Sequence, residues 1–138
     1  VPVDTAVGRV GTLVCWDGFH HTLVEHYDAL SVDILLQPSY NQHPWNGPCS
    51  YGAPGTEGET RLRTTCVSMI QGRENIQYGI EAFMVGTVFE DMLAEGLSYV
   101  ARNTGRVGAS WEEGVVAMAE KPDGEEIVAA TVEVDGRR

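Results

Sequence analysis

The chain has 138 residues, enough for one domain, and its 43% apolar and 21% charged content is ordinary for a globular fold. A formal charge of −11 with only nine scattered Lys and Arg residues excludes the clustered positive surface that phosphate binding needs. No stretch approaches the ~18 uninterrupted apolar residues of a membrane span, so neither nucleic acid nor membrane is an expected partner.

Residues 3–7 read as a short strand, Gly8-Arg9 as a turn, and residues 10–14 as a compact buried strand. Asp17-Gly18 follows at once, a strong turn signal. Phe19, Leu23, Tyr27 and Leu30 are then spaced as one face of a helix, with Thr22 and Glu25 as a capping box. Residues 32–37 form the next apolar strand, ending at Pro38. Strand, sharp turn, helix and strand make a βαβ unit, which predicts an α/β fold with a parallel core and covering helices.

Residues 41–58 carry Pro44, Pro48, Pro54, Gly47, Gly52, Gly55 and Gly58, and read as a long loop of the kind that carries function. A helix is expected over 59–74 with Leu62, Cys66, Met69 and Ile70 on one face, then a strand or strand pair over 76–88. Weaker strands are expected over 97–101, 106–109 and 115–119. Pro122-Asp123-Gly124 predicts a turn into a last strand over 127–134. The acidic residues of this last part read as a solvated face.

Three widely spaced cysteines, Cys15, Cys49 and Cys66, give neither a disulfide framework nor a C-x-x-C zinc pair. A reduced, cytoplasmic setting is expected. Cys15 differs from the other two in position. It stands at the end of a buried strand, at a tight turn into a helix, where open α/β sheets place their sites. The N–H groups of Trp16 and Asp17 follow it and are placed to stabilise an oxyanion, the arrangement of a nucleophile elbow with Cys in place of Ser. A buried cysteine that merely fills space is the competing reading.

The stretch Gly8-Arg9-Val10-Gly11-Thr12-Leu13-Val14-Cys15-Trp16-Asp17 resembles the nucleophile signature of the nitrilase superfamily of carbon-nitrogen hydrolases. Val32-Asp33-Ile34-Leu35-Leu36-Gln37-Pro38-Ser39, Glu74-Asn75 with Tyr78, and Pro122-Asp123-Gly124 are similar to later segments of that family, in the same order. The resemblance spans nearly the whole chain apart from the loop 41–58. It implies the C-terminal half of an α-β-β-α sandwich, a mixed sheet with helices on one face. Residues 1–138 would form the C-terminal portion of a single hydrolase domain. The chain opens at Val1 and its first methionine is Met69, so a preceding segment is expected.

The activity implied is hydrolysis of a small-molecule amide, or less readily a nitrile, through a thioester on Cys15. No cofactor or metal is implied, and a homo-oligomer is implied for the full-length protein. Trp16, Tyr40 and Asn41 become substrate-binding candidates, because they follow the strand ends beside Cys15; Trp45 is a further pocket candidate. A free thiol ionises near pH ~8.5 and needs a base or a cation nearby. The family uses a Glu and a Lys that precede the Cys, yet the first fourteen residues hold neither, and the only lysine is Lys121.

Three departures mark a divergent subfamily. His20-His21 stand near where Pro-Glu is usual, Gln71-Gly72-Arg73 replace the expected Arg-Ala, and Glu81-Ala82 stand where an Asn precedes the later glycine. Two other chemistries compete at the same turn: a metal site built from Cys15, Asp17, His20, His21 and His26, and a Cys–His pair with His20 or His21 as base. The alternative from another class is a catalytically inactive α/β module that binds or scaffolds through the open face of its sheet.

Overall fold

The computed structural model describes residues 1–87 and 91–135. In chain order the elements are β1 (Val3–Thr5), β2 (Gly8–Thr12), a 3-10 helix (Cys15–Phe19), α1 (His21–Ala29) and β3 (Ile34–Ser39). Next come α2 (Glu57–Thr64), α3 (Cys66–Met69), β4 (Tyr78–Phe83), β5 (Gly86–Thr87) and β6 (Leu93–Ala94). The described part closes with β7 (Tyr99–Arg102), α4 (Trp111–Gly114) and β8 (Val115–Met118). Six strands form one mixed sheet in the order β1-β2-β3-β4-β7-β8, parallel at β2–β3 and β3–β4 and antiparallel at both margins.

The helices gather on one face because that face is cut for them. Gly11, Leu35, Gly79 and Ala101 stand side by side in register. Any Cβ on Gly11 would strike the Tyr27 ring of α1, and one on Gly79 would strike Cys66 of α3; removing the side chain lets each helix sit against the strand. Val24, Leu35, Leu62, Cys66, Val67 and Ile70 fill the space between. On the opposite face Thr12, Leu36 and Ile80 are in register, and Ile80 is 36% exposed. This is the expected mixed sheet with helices on one side.

Several elements differ from expectation. The helix expected over 59–74 is two helices, begun at Thr56 by a capping box with Glu59 and broken at Thr65, whose backbone is extended. Thr65 leaves the helix because its hydroxyl is held by the buried Glu81 carboxylate, 2.7 Å away. Helix α1 begins at His21, and the supposed Thr22–Glu25 box is not its cap. Its buried residue is Val24, while Leu23 and Leu30 are 36% and 38% exposed, so the face inferred from Phe19, Leu23, Tyr27 and Leu30 is rotated.

The segment 76–88, expected as a strand or strand pair, holds β4 and β5, which lie in different sheets, with Val88 outside the described residues. Residues 106–109 form no strand, since Gly105 just before them and Gly108 among them take positive φ. Residues 127–134 form no strand either. That segment instead ties back to the amino end of β4, where Tyr78 Oη donates to the Glu133 carbonyl and the Asp135 N–H donates to Gln77 Oε1.

Strand β3 runs through Pro38 to Ser39. Beyond Leu36 it has a strand partner on one side only, so a residue lacking an N–H is tolerated there. That divergence of β2 from β3 opens the space in which the candidate site lies.

Candidate active site

Strand β2 delivers Cys15 to the carboxyl edge of the sheet. The ladder persists to the Leu13 N–H, which donates to the Leu36 carbonyl at 3.0 Å; the chain then turns through the 3-10 helix. Cys15 has φ +47°, a left-handed conformation that is uncommon for a residue with a side chain and persists only where its surroundings hold it. Asp17 closes the turn on itself. Its N–H donates to the Val14 carbonyl at 3.0 Å, and its carboxylate accepts the Val14 N–H at 3.1 Å. The Asp17 N–H is thus committed, and of the two donors expected to face an oxyanion only that of Trp16 is without a partner among the described residues.

Gly18 comes next because nothing larger fits. It lies on the side-chain amide of Gln37 from β3, and a Cβ would collide with all three amide atoms. Gly18→Ala is therefore expected to lower unfolding stability by about 1–3 kcal/mol through overpacking, read as a lower urea midpoint. An unchanged midpoint would show that the turn is not packed as described.

Cys15 Sγ is half-buried and donates to the Tyr40 carbonyl at 3.6 Å. Tyr40 follows β3 directly, so the parallel pairing of β2 and β3 brings Cys15, Trp16 and Tyr40 to one edge. Trp16 is 56% exposed, with its ring 5.0 Å from that of Phe19 and 6.4 Å from that of Tyr51 in the long loop. The Tyr40 hydroxyl is buried without a partner among the described residues.

Asn41 has a different setting. It is 1% exposed, its amide donates to the carbonyls of His43 and Glu95, and its oxygen accepts from the His43 N–H and from Arg61. This side chain thus ties the start of the loop to α2 and to Glu95. Trp45 is corrected outright as a pocket candidate: it is 4% exposed, packed over Gly58 and edge-on to Phe83 at 5.2 Å. His20 and His21 are exposed, and among the described residues no group of His, Cys, Asp and Glu is arranged to hold a metal.

The loop is strapped rather than loose. Glu57, 1% exposed, accepts from the Ser50 N–H at 2.8 Å and from Arg61 Nε at 3.1 Å. Arg61 lies over the Phe19 ring at 5.2 Å, joining the loop to the turn that carries Cys15. The residues left outside are the tip, 51–55, all exposed. Burial pushes the Glu57 carboxyl up, but the Ser50 and Arg61 donors outweigh it and hold the group below its ordinary range.

Under the turn lies a polar layer that sequence reasoning missed. Glu81 of β4, fully enclosed, accepts from Ser39 Oγ at 2.6 Å, Gln37 Nε2 at 3.2 Å, Thr65 Oγ1 at 2.7 Å and Tyr99 Oη. Gln37 Nε2 also donates to the Cys15 carbonyl at 3.1 Å. Burial raises the Glu81 carboxyl above its usual range, against the pull of its donors and of Arg61. Burial also drives the Cys66 thiol and the Tyr99 hydroxyl well above theirs. The available signal was positional: Glu81 alternates with Gly79 and Phe83 on the buried face of β4, where an unpaired carboxylate is costly.

Solved structures of the nitrilase superfamily share this architecture. Nit3 of Saccharomyces cerevisiae, a branch 10 member, superposes with a TM-score of 0.61 at 20% identity, over 93% of this chain and 38% of its own. A carbon-nitrogen hydrolase of Helicobacter pylori G27 gives 0.66 at 20%, over 92% of this chain and 41% of its own. An amidase of Nesterenkonia sp. AN1, in a form with acrylamide added at its active-site cysteine, gives 0.59 at 12%, over 90% and 39%. The chain thus has the fold of part of a nitrilase-superfamily domain, and it spans well under two thirds of these relatives. No protein-family model matches it and no curated protein does.

Proposed function

We propose that this chain carries the nucleophile and one wall of the site of a carbon-nitrogen hydrolase that acts on small amides rather than nitriles. The observation that carries the reading is the placement of Cys15: a left-handed turn residue at the carboxyl edge between two parallel strands, with its thiol beside Tyr40. The Cys15 thiolate attacks the amide carbon and forms a thioester, the amine departs with a proton, and water then releases the acid and returns the thiol. The Trp16 N–H is the backbone donor for the oxyanion. Trp16 and Tyr40 form the pocket wall, and Asn41 supports that wall from behind. The general base and the cation belong to a polypeptide portion outside these 138 residues, and the intact protein is a cytoplasmic homo-oligomer.

The test uses the protein that contains this chain together with its remaining portion. Cys15→Ala is expected to remove amide turnover, on the order of 10⁴-fold or more, as for other residues of a catalytic unit. Cys49→Ala and Cys66→Ala should keep it, apart from any loss of stability. Substantial turnover by the Cys15 variant would end the thioester reading and favour the second one, an inactive module that binds through its sheet. The hydrogen bond from Sγ to the Tyr40 carbonyl favours that second reading to this extent: it engages the thiol with backbone rather than with a base.

A further inference from the structure

Beneath Cys15, a side chain that does not touch the thiol is connected to it through one intermediary. Gln37 Nε2 donates at once to the Cys15 carbonyl, 3.1 Å, and to Glu81 Oε1, 3.2 Å. Gln37 and Glu81 are each 1% exposed, so no solvent competes for these bonds. Cys15 is also the residue whose φ of +47° needs external support. We propose that Glu81 is a positioning residue for Cys15: it fixes the Gln37 amide, and Gln37 holds the Cys15 carbonyl so that the turn keeps its left-handed conformation and presents the thiol. The proposal rests on the reading of Cys15 as nucleophile.

Four side chains converge on Glu81: Ser39 and Gln37 on one oxygen, Thr65 and Tyr99 on the other. The single Thr65 proton is shared with the Arg61 carbonyl, also 2.7 Å away. The hydroxyls can reverse their donation; an amide cannot without turning over. Gln37 Oε1 is buried and has no partner among the described residues. When Glu81 takes up a proton, turning the Gln37 amide gives that oxygen a donor and withdraws Nε2 from the Cys15 carbonyl. Protonation of Glu81 is thereby linked to release of the turn.

The other titratable or charged groups facing Glu81 are Arg61 on α2, Cys66 on α3 and Tyr99 on β7. Burial keeps the Cys66 and Tyr99 protons in place. Glu81 is therefore the member of this group that titrates on the acid side, and burial sets its protonation above the usual carboxylate range.

The experiment is the alkylation rate of Cys15 by iodoacetamide across pH in the 138-residue chain, with Cys15, Cys49 and Cys66 resolved by peptide mapping. Cys49 must be resolved because the Thr60 hydroxyl lowers its thiol pKa. Below the thiol's own titration a lone thiol loses rate tenfold per pH unit. Cys15 is expected to lose about fivefold more as Glu81 protonates, the scale of one hydrogen bond. Glu81→Gln and Gln37→Met should both remove that extra step and leave the rate at the lowered level. Thr65→Val, which deletes a donor to the carboxylate but touches neither Gln37 nor Cys15, should move the step to higher pH and keep the plateau.

If Glu81→Gln fails to fold, Gln37→Met and Thr65→Val decide the question, because a merely structural role would leave the step where it is. A wild-type profile without the step, or variants that superpose on wild type, would overturn the proposal. A chain that alkylates as described, within a protein that hydrolyses no amide, counts against the hydrolase reading alone.

Discussion

Mixed with a panel of simple amides, the isolated 138-residue chain is expected to release no ammonia above background. The thiol of Cys15 donates a hydrogen bond to a backbone carbonyl, and no carboxylate or amine among the described residues hydrogen-bonds to it. The only lysine, Lys121, is exposed in the turn after β8. Asp17, the carboxylate nearest in sequence, is committed to the Val14 N–H. Nucleophile, base and cation act as a unit, so a site without two of them loses most of its rate over water. On the proposed reading, co-expression with a polypeptide that supplies the base and the cation should restore ammonia release. Robust release by the chain alone would instead make His20 or His21 the base and install the Cys–His reading.

Arg61→Ala is expected to be the most destabilising single substitution in the site region, costing about 3–5 kcal/mol as the loss of one partner of a buried ion pair. The pair is enclosed, with side-chain exposures of 8% and 1%, and truncation leaves the Glu57 carboxylate buried with Ser50 but without its cation. The sign of the pH effect follows from Glu57. Its folded pKa lies below the unfolded one, so its stabilisation is present above the ordinary carboxylate range and fades as pH falls through the depressed value. Urea unfolding at neutral and acid pH checks both points. The gap between wild type and variant should narrow on acidification; a gap below about 1 kcal/mol at neutral pH would mean that the pair is exposed in solution, since surface pairs are worth no more.

The segment from β2 through α1 to β3 was legible because its information is local. Apolar runs bounded by Asp17-Gly18 define a strand-turn-helix-strand, and Cys15 falls at the turn. The supporting layer was not legible, because it is made across the fold: Gln37 meets Glu81 from 44 residues away and Thr65 meets Tyr99 from 34. Nothing near Gln37 in the chain signals its partner. The break at Thr65 has the same origin, a tertiary hydrogen bond overriding helical periodicity. The alternation of Thr131-Val132-Glu133-Val134 misled for the opposite reason. A local strand pattern makes a strand only where a neighbouring ladder receives it, and here side chains of Tyr78 and Gln77 take those backbone groups instead.

The strapped loop bears on how such a protein can diversify. Its anchors, Trp45 over Gly58 and Ser50 against Glu57, lie on either side of an exposed tip, residues 51–55. Additions or deletions of chain are tolerated where backbone is exposed and carries few bonds, and here that means the tip. Tyr51 stands at its start with its ring 6.4 Å from that of Trp16. Length variation in those five residues would therefore reshape the rim beside Cys15 while the Glu57–Arg61 pair and the Gln37–Glu81 layer stay in place. Descendants of this sequence could change the surface beside Cys15 through insertions at a single spot, with no mutation in the scaffold beneath that residue.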